Sequence, residues 1–399
     1  MKKEVLNILS KGEGNYDKVE VCPHYSLCGG CSMLHVSYDY QLKIKEEAVL
    51  KLFKVYFDDL NYEGIVRSPE VYQYRNKMEY TFGDFEKGGD LEIGLHVKKK
   101  NFSIVTTDKC KLVQDDFLKI LSFCQNYFNK LKIPHYKVMK REGLLRNLVL
   151  RLGKNTGQIM INLVTTSTLN LDYRDFCEGL LSLNLNATIK SILHTVNDSL
   201  SEAIIPERLQ VLYGEDHIYE IVLGLKFKIS PFSFFQTNTR ATEILYETVI
   251  DFFGDKKGVI FDLYCGTGTI SQVISKKASH VYGVEIVQEA VTSAIENAKL
   301  NGITNCEFLC GDINEIVSKL HVKPDVIILD PPRPGVGKKA LKNIIEFNSP
   351  KIIYVSCNPN TLRDDLVMLK ENGYKVIRMK LVDLFPNTYH VETVVLLSL

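Results

Sequence analysis

Residues 236–399 constrain the fold most strongly, because short apolar runs alternate there with helical patterns. The runs predict six strands, at Val259–Leu263, Val281–Glu285, Cys306–Leu309, Val326–Leu329, Ile352–Ser356 and Val391–Leu397. Apolar strands separated by helices are typical of a parallel, doubly wound α/β sheet with helices on both faces. Ligands of such sheets bind at the carboxyl ends of the strands. The sequence therefore predicts an α/β domain whose site lies at that edge.

The first 235 residues divide into two regions of different texture. Residues 1–60 hold a group of cysteines and then a helical pattern from about Tyr40 to Phe57. Residues 61–235 hold alternating stretches, which predict strands at Met78–Phe82, Leu91–Val97, Leu148–Leu152, Gln158–Val164 and Leu225–Ile229. We therefore expect three domains: a cysteine segment with a helix (1–60), a central antiparallel β-rich α+β domain (61–235) and the α/β domain (236–399).

The composition is that of an ordinary globular protein, with 45% hydrophobic and 24% charged residues. The first twenty residues contain no apolar run resembling a signal peptide. No run of about 18 apolar residues predicts a membrane span. We therefore expect a cytoplasmic protein without membrane contact, whose ten cysteines are not paired in disulfides.

The charge is unevenly distributed along the chain. Between Lys98 and Lys154 there are fourteen Lys or Arg residues against four acids, a local net charge of +10. Such a segment is suited to contacts with the phosphates of a nucleic acid. A solvated basic face explains the same composition equally well.

Three consecutive predicted strands of the α/β domain end in features that suit an adenosine ligand. The first leads into a turn containing Gly266 and Gly268, where the backbone can approach a ligand closely. The second ends in Glu285, an acid suited to ribose hydroxyls. The third is followed by Asp312, which is placed to meet an adenine amino group. Each acid alone could be an ordinary exposed residue, but together they indicate an adenosine site.

NAD and S-adenosylmethionine both contain adenosine. The turn lacks the third glycine of the dinucleotide fingerprint, which packs the helix close to a pyrophosphate; Gln272 or Val273 follows instead. The sequence therefore favours a ligand without phosphates.

The fourth and fifth predicted strands end in proline-stiffened loops. Asp330 opens the sequence Asp-Pro-Pro-Arg, and Cys357 precedes Asn-Pro. A cysteine at a strand end is a candidate nucleophile, although a buried structural cysteine is the commoner case. Glu392, at the start of the last strand, is either an exposed acid or a base whose pKa is tuned by burial.

Taken together, the motifs of the chain resemble the RNA uracil-5-methyltransferase family, which modifies ribosomal and transfer RNA. The resemblance runs in order along nearly the whole chain, through Tyr74-Arg75-Asn76-Lys77, Leu145-Arg146-Asn147-Leu148, Ser233-Phe234-Phe235-Gln236-Thr237-Asn238, Asp262-Leu263-Tyr264-Cys265-Gly266-Thr267-Gly268, Asp330-Pro331-Pro332-Arg333, Ser356-Cys357-Asn358-Pro359 and His390-Val391-Glu392.

The resemblance implies a Rossmann-like class I methyltransferase domain and assigns roles to its residues. Cys357 is expected to be the nucleophile and Glu392 the base. The sites for S-adenosylmethionine and uracil are expected to use Gln236, Tyr264, Gly266, Gly268, Thr269, Glu285, Asp312 and Asp330. Many relatives carry another residue where Thr269 stands.

Cys22, Cys28 and Cys31 follow a C-x5-C-x2-C spacing, with Cys110 far downstream. Close cysteines on a loop fit thiolate ligation of one metal centre, and zinc with four cysteines is chemically possible. Unligated thiols are the plain alternative. The resemblance implies a [4Fe–4S] cluster on these four residues. The spacing differs from the CxxxCxxC of radical S-adenosylmethionine enzymes, so we expect a structural or RNA-related cluster.

The expected partner is RNA. Many relatives carry a small β-barrel RNA-binding (TRAM) domain before the cysteines, whereas only twenty-one residues precede Cys22. We therefore expect the central domain to bind RNA, and by resemblance expect 23S rRNA as substrate, with tRNA as the alternative, and a monomer. Three rival functions are a methyltransferase acting on an exocyclic nitrogen, an RNA-binding protein without catalysis, and a radical enzyme.

Overall fold

The computed structural model describes residues 1–11, 21–54, 60–100, 102–169, 171–201, 203–255, 257–316, 320 and 322–399. Two large sheets and one two-stranded sheet organise these residues. Each strand predicted above is present, with its ends within three residues of the expected positions. The predicted helix at Tyr40–Phe57 is observed at Tyr38–Lys54, and the rest of that prediction lies outside the described residues. No helix in the described ranges is long and apolar enough to cross a membrane.

The larger sheet has eight strands. From one edge to the other they are β1 (Tyr62–Val66), β16 (Lys375–Val382), β17 (Glu392–Ser398), β15 (Lys351–Ser356), β14 (Val326–Leu329), β11 (Val259–Leu263), β12 (His280–Glu285) and β13 (Cys306–Cys310). All neighbours are parallel except β17, which is antiparallel to both β15 and β16 because a short loop, residues 383–391, turns the chain back. This is the predicted doubly wound α/β sheet with one reversed strand.

Helices cover both faces of this sheet, as the alternation of its side chains requires. On β11, Ile260 faces a core shared with Leu245 and Val249, whereas Leu263 faces a second core shared with Phe53. The helices are α1 (Lys2–Lys11), α2 (Tyr38–Lys54), α5 (Thr239–Phe253), α6 (Thr269–Ile274), α7 (Gln288–Leu300), α8 (Ile313–Ile316), α9 (Lys338–Glu346) and α10 (Pro359–Glu371), and a short 3-10 helix occupies Ser275–Lys277.

The smaller sheet has seven strands. In spatial order they are β4 (Ile104–Thr106), β3 (Leu91–His96), β2 (Lys77–Asp84), β5 (Leu145–Gly153), β6 (Gln158–Thr165), β7 (Thr188–Val196) and β8 (Arg208–Gly214). The expected antiparallel pairing holds except between β6 and β7, which are parallel because the helix α4 (Arg174–Leu181) connects them. The helix α3 (Asp115–Leu131) packs its apolar face on this sheet.

Some segments before residue 236 pack with the larger sheet, which differs from the expected division. The strand β1 pairs with β16, and Val49 and Phe53 of α2 lie in a core of that sheet. The hairpin of β9 (Ile218–Val222) and β10 (Leu225–Ile229) packs against α5. Alternation predicts that a segment is a strand but not which sheet it joins. We propose that the central domain spans about residues 77–214 and that the flanking segments belong with the larger sheet.

Candidate active site

The carboxyl edge of the larger sheet brings Asp330, Cys357 and Glu392 together. Cys357 follows β15 and Glu392 opens β17; these strands are antiparallel neighbours in which Ser356 pairs with Thr393. Cys357 and Glu392 therefore lie at the same end of adjacent strands. Asp330 follows β14, the other neighbour of β15. Three groups suited to covalent and acid–base chemistry thus come from three adjacent strands.

Cys357 lies between β15 and the first turn of α10. Asn358 caps that helix by accepting a hydrogen bond from the Asn360 backbone N–H, and Pro359 is the first helical residue. The positive end of the helix dipole favours a thiolate at this position. Burial, and after it the charges of Glu392 and Asp330, nevertheless raise the pKa of Cys357 to about 11. The resting group at neutral pH is therefore the thiol.

Arg333 counteracts this increase, because its charge lowers the pKa of both Cys357 and Glu392. Its backbone also joins the two proline-stiffened loops: the Arg333 carbonyl accepts hydrogen bonds from Asn358 Nδ2 at 3.0 Å and from Thr361 Oγ1 at 3.3 Å. The Asp-Pro-Pro-Arg motif contains Arg333, but the motif alone predicted no role for it. Its position directly after two prolines was the available signal.

Three buried or half-buried carboxyl groups influence one another behind the cysteine. Burial raises the pKa of Glu392 to about 8, with Asp330 as a further cause. Burial also raises the pKa of Asp330 to about 7, with a contribution from Asp262. Asp262 is fully buried, accepts a hydrogen bond from Ser271 Oγ, and has a pKa raised to about 7 by burial. Asp262 is a second motif residue for which the sequence predicted no role.

The turn from β11 into α6 has the open backbone expected of a ligand-binding loop. Gly266 and Gly268 have φ of 54° and 71°, in the left-handed region that favours glycine. A Cβ on Gly266 would meet open space, whereas a Cβ on Gly268 would lie 2.6 Å from the Phe308 ring. Gly266 thus leaves room beside the backbone, and Gly268 allows the turn to pack against β13.

Glu285 fixes this turn. Its Oε2 accepts a hydrogen bond from the Gly266 backbone N–H at 3.1 Å, and its Oε1 accepts from the N–H groups of Ile286 and Val287. Asp312 similarly accepts bonds from the backbone and side chain of Asn314. Both acids lie at strand ends along the edge that holds Asp330, because β11, β12 and β13 are consecutive neighbours. Carboxylates have further lone pairs for hydroxyl or amino donors.

Of the remaining predicted site residues, Thr269 and Gln236 adjoin α5, whereas Tyr264 packs with the core on the other face of the larger sheet. Thr269 Oγ1 shares a hydrogen bond of 2.9 Å with the hydroxyl of Tyr246, which lies within the electrostatic influence of Asp330, Asp262 and Glu392. Gln236 precedes α5, and its carbonyl accepts a bond from Asn76 Nδ2 at 3.0 Å. Tyr264, with φ of 69°, continues the β11 turn.

Cys22, Cys28, Cys31 and Cys110 line one cavity of about 310 Å³. Burial, and then the neighbouring thiols, raise the pKa of Cys31 to about 12. Within the described ranges, no three His, Cys, Asp or Glu side chains lie close enough together to hold a single metal ion. Zinc ligation requires four sulfurs about 2.3 Å from one centre. Four thiols around a larger cavity fit a multi-atom group better than a single ion.

The segment after Cys31 is bound to the loop that precedes Glu392. The backbone N–H groups of Ser32 and Met33 both donate to the Asn387 carbonyl at 3.0 Å. Gln41 exchanges two hydrogen bonds with Asn387, one from its Nε2 to Asn387 Oδ1 and one from the Asn387 N–H to its Oε1. The cysteine segment therefore contributes to the position of the loop that leads into β17.

Comparison with known proteins places this fold and site among methyltransferases. Residues 37–399 match the model of the family described as tRNA (Uracil-5-)-methyltransferase. The chain is 51% identical over 381 residues to an "Uncharacterized RNA methyltransferase" of Clostridium tetani, covering 95% of this chain and 84% of that protein. It is 53% identical over 379 residues to a protein of the same description from Clostridium acetobutylicum, covering 94% and 83%.

A similar solved structure is the Pyrococcus abyssi tRNA (uracil-54, C5)-methyltransferase in complex with S-adenosyl-L-homocysteine. The TM-score is 0.76 at 28% identity, covering 95% of this chain and 87% of that one. The fold and site thus define an S-adenosylmethionine-dependent methyltransferase, which confirms the predicted fold class and decides against NAD. The chain belongs to the tRNA (uracil-5-)-methyltransferase family and is an RNA (uracil-5-)-methyltransferase, as the resemblance implied.

Proposed function

We propose that this chain transfers a methyl group from S-adenosylmethionine to carbon 5 of a uridine in RNA, through a transient bond between Cys357 Sγ and carbon 6 of the ring. The observation that carries the proposal is the convergence of Cys357, Glu392 and Asp330 on one sheet edge. The open turn at Gly266, which suits the donor, lies along the same edge.

The reaction needs covalent help because carbon 5 of uracil is a poor nucleophile. The Cys357 thiolate adds to carbon 6, and the electron pair of the double bond moves into an enolate with density at carbon 5. S-adenosylmethionine supplies an electrophilic methyl group on a cationic sulfur. Carbon 5 bonds to this methyl group, and the electron pair of the broken carbon–sulfur bond stays on the sulfur, which gives S-adenosylhomocysteine. Glu392 then removes the proton from carbon 5. The electrons re-form the double bond and expel Cys357, so one difficult step becomes several easier ones.

Activation of Cys357 has to overcome its raised pKa. Arg333 and the N-terminus of α10 both favour the thiolate. A cationic sulfonium beside the ring adds a third positive charge when the donor is bound. The thiolate is therefore favoured in the ternary complex rather than in the free protein.

Substrate positioning falls to the residues around the cysteine. Asp330 is adjacent to it and Gln236 precedes α5, so both are proposed to hold the edge of the base. A base in structured RNA must leave its stack to reach this site. Phe234 has 71% of its surface exposed two residues before Gln236 and offers a ring on which an unstacked base can rest.

The rate at which methylated RNA is released should depend on pH through Glu392, because release is the step that needs this base. Because burial raises the pKa of Glu392 to about 8, the group is mostly protonated at neutral pH and cannot act as a base. We expect this release rate to rise with pH, to reach half of its maximum at about 8, where half of the carboxyl is ionised, and to level off above that pH. A rate that is independent of pH between about 6 and about 9 would contradict this role.

To test the activity, the protein is incubated with methyl-labelled S-adenosylmethionine and with RNA isolated from cells that lack this protein. The RNA is then digested to nucleosides. We expect 5-methyluridine as the labelled product. Methylated adenosine or guanosine would indicate attack by an exocyclic nitrogen. RNA binding without label would indicate a non-catalytic protein, and a requirement for reductant with release of 5′-deoxyadenosine would indicate radical chemistry.

The proposed substrate is 23S rRNA, supported by the resemblance of the four cysteines to those of iron–sulfur-containing members. Transfer RNA is the second candidate, supported by the similar structure of the P. abyssi tRNA enzyme. Separating rRNA from tRNA before the digestion decides between them, because only one fraction should contain labelled 5-methyluridine.

We also propose that Cys22, Cys28, Cys31 and Cys110 hold a [4Fe–4S] cluster, supported by the cavity that the four thiols share. Such a cluster would join the loop before α2 to the segment after β4. Protein purified without oxygen should contain about four iron atoms per chain, and Cys31→Ser should lose iron and melt at a lower temperature. Cys177→Ser, a half-buried cysteine of α4, is the matched control. Wild-type protein that is purified without oxygen, contains no iron and melts at the same temperature as Cys31→Ser would refute the cluster.

A further inference from the structure

Two positive side chains occupy opposite positions on neighbouring strands of the smaller sheet. Lys77 of β2 pairs with Arg151 of β5 in an antiparallel ladder. Like charges directly opposite each other destabilise a sheet. Arg75, two residues before Lys77, adds a third cation near the same place, because its Nε donates a hydrogen bond to the Lys77 carbonyl at 3.0 Å. The carboxylate of Glu79, 3.4 Å from Lys77 Nζ, balances one of the three charges.

Arg151 is the most buried of these three cations. Its side chain is 4% exposed, and its Nη2 donates to the Ser233 carbonyl. Its Nε is buried without a hydrogen-bond partner. A buried, incompletely paired guanidinium destabilises the protein on its own. Arg151 belongs to the basic stretch from Lys98 to Lys154 but, unlike most of the basic side chains there, which are exposed, it is held inside the fold.

The three cations Arg75, Lys77 and Arg151 adjoin the proposed active site. Asn76, between Arg75 and Lys77, binds the carbonyl of Gln236 with its side chain and that of Thr237 with its backbone N–H. Arg151 holds Ser233, three residues before Gln236. The side chain of Lys77 remains 30% exposed and is open to a ligand from solution.

We propose that Lys77, assisted by the charges of Arg75 and Arg151, binds a backbone phosphate of the RNA beside the nucleotide that enters the active site. Lysine and arginine are the usual phosphate ligands, and RNA supplies one phosphate for each nucleotide. The donor S-adenosylmethionine carries no phosphate, so the polyanion that fits this place is the RNA chain. Lys77 contacts the phosphate from the surface, and Arg151 strengthens the field from beneath it. This inference rests on the proposed function.

The first test measures the salt dependence of binding to a short, uridine-containing single-stranded RNA, in a Cys357→Ala background that cannot turn over. Removing one phosphate contact in Lys77→Gln should weaken binding about fivefold and reduce the slope of log K against log salt by about 0.7. Lys77→Arg should keep the wild-type slope. Lys190→Gln, at an exposed lysine of β7 in the same sheet, is the matched control. A Lys77→Gln slope equal to that of the control overturns the proposal.

The second test locates the phosphate. Each phosphate of the oligonucleotide is replaced in turn by an uncharged methylphosphonate. At one position the replacement should weaken RNA binding by the protein that keeps Lys77 but should not weaken RNA binding by the Lys77→Gln variant any further. Such non-additivity is the signature of a direct interaction. Purely additive effects at every position overturn the site. If this coupling is found but RNA is not methylated at uridine carbon 5, the proposed function fails and the phosphate site stands. If RNA is methylated there but the coupling is absent, the phosphate site fails and the proposed function stands.

Discussion

Replacing Cys357 with alanine should abolish methyl transfer while leaving RNA binding intact. Without the thiolate, carbon 5 stays a weak nucleophile, and the neighbouring side chains Asp330 and Glu392 are carboxyl groups that cannot replace the sulfur. Loss of a covalent nucleophile costs a factor of at least about 1,000 in turnover. The measurement is the amount of labelled methyl group transferred to RNA over time.

The matched control is Cys306→Ala, which removes another half-buried thiol of the same sheet. Cys306 is the first residue of β13 and therefore lies at the edge of the sheet opposite to Cys357. This variant should keep methyl transfer. Because Cys357 is only half-buried and follows a strand rather than filling a core, its loss should change the melting temperature little. A Cys357→Ala protein that still forms methylated RNA would exclude the covalent route and favour transfer to an exocyclic nitrogen.

Replacing Glu392 with glutamine should trap the enzyme on its RNA. The carboxamide cannot remove the proton from carbon 5, whereas addition of Cys357 and methyl transfer do not require that base. The methylated ring should therefore stay bonded to the sulfur, giving a protein–RNA band that survives a denaturing gel. Glu371→Gln, an exposed acid at the end of α10, should behave like the wild type. A Glu392→Gln protein without a trapped band would remove Glu392 from the role of base.

The same substitution should change how stability depends on pH. Glu392 has a pKa of about 8 in the folded protein against 4.5 when unperturbed, so the folded state holds a proton that the unfolded state has released. The free energy of unfolding of the wild type therefore falls as the pH rises from 4.5 to 8. Glutamine avoids this loss and should stabilise the protein by about 3–5 kcal/mol near pH 9.

Local sequence patterns were sufficient for six of the eight strands of the larger sheet, all except β1 and β16, and for the order of its ligand-bearing ends. The apolar run Val259–Leu263 has the same bounds in the structure as in the prediction. Because parallel strands present their carboxyl ends at one edge, the positions of Asp330 and Cys357 followed once the strands were known. The assignment of roles to Cys357 and Glu392 depended on the family resemblance.

Contacts between distant parts of the chain could not be predicted from these patterns. Strand β1 joins the larger sheet, and Gln41 binds Asn387 across 346 positions of sequence. Periodicity reports which face of a segment is buried but not what covers it. The influence of Arg333 and Asp262 on the site was missed for the same reason, since it arises from burial and from neighbours on other strands.

The most direct test of the covalent mechanism uses RNA in which the target uridine carries fluorine at carbon 5. Glu392 cannot remove fluorine as it removes a proton, so the ring should remain attached after methyl transfer. Proteolysis and mass spectrometry should then find a methylated fluorouridine nucleotide on the peptide that contains Cys357. A freely dissociating RNA, or a nucleotide attached to another residue, would contradict the account.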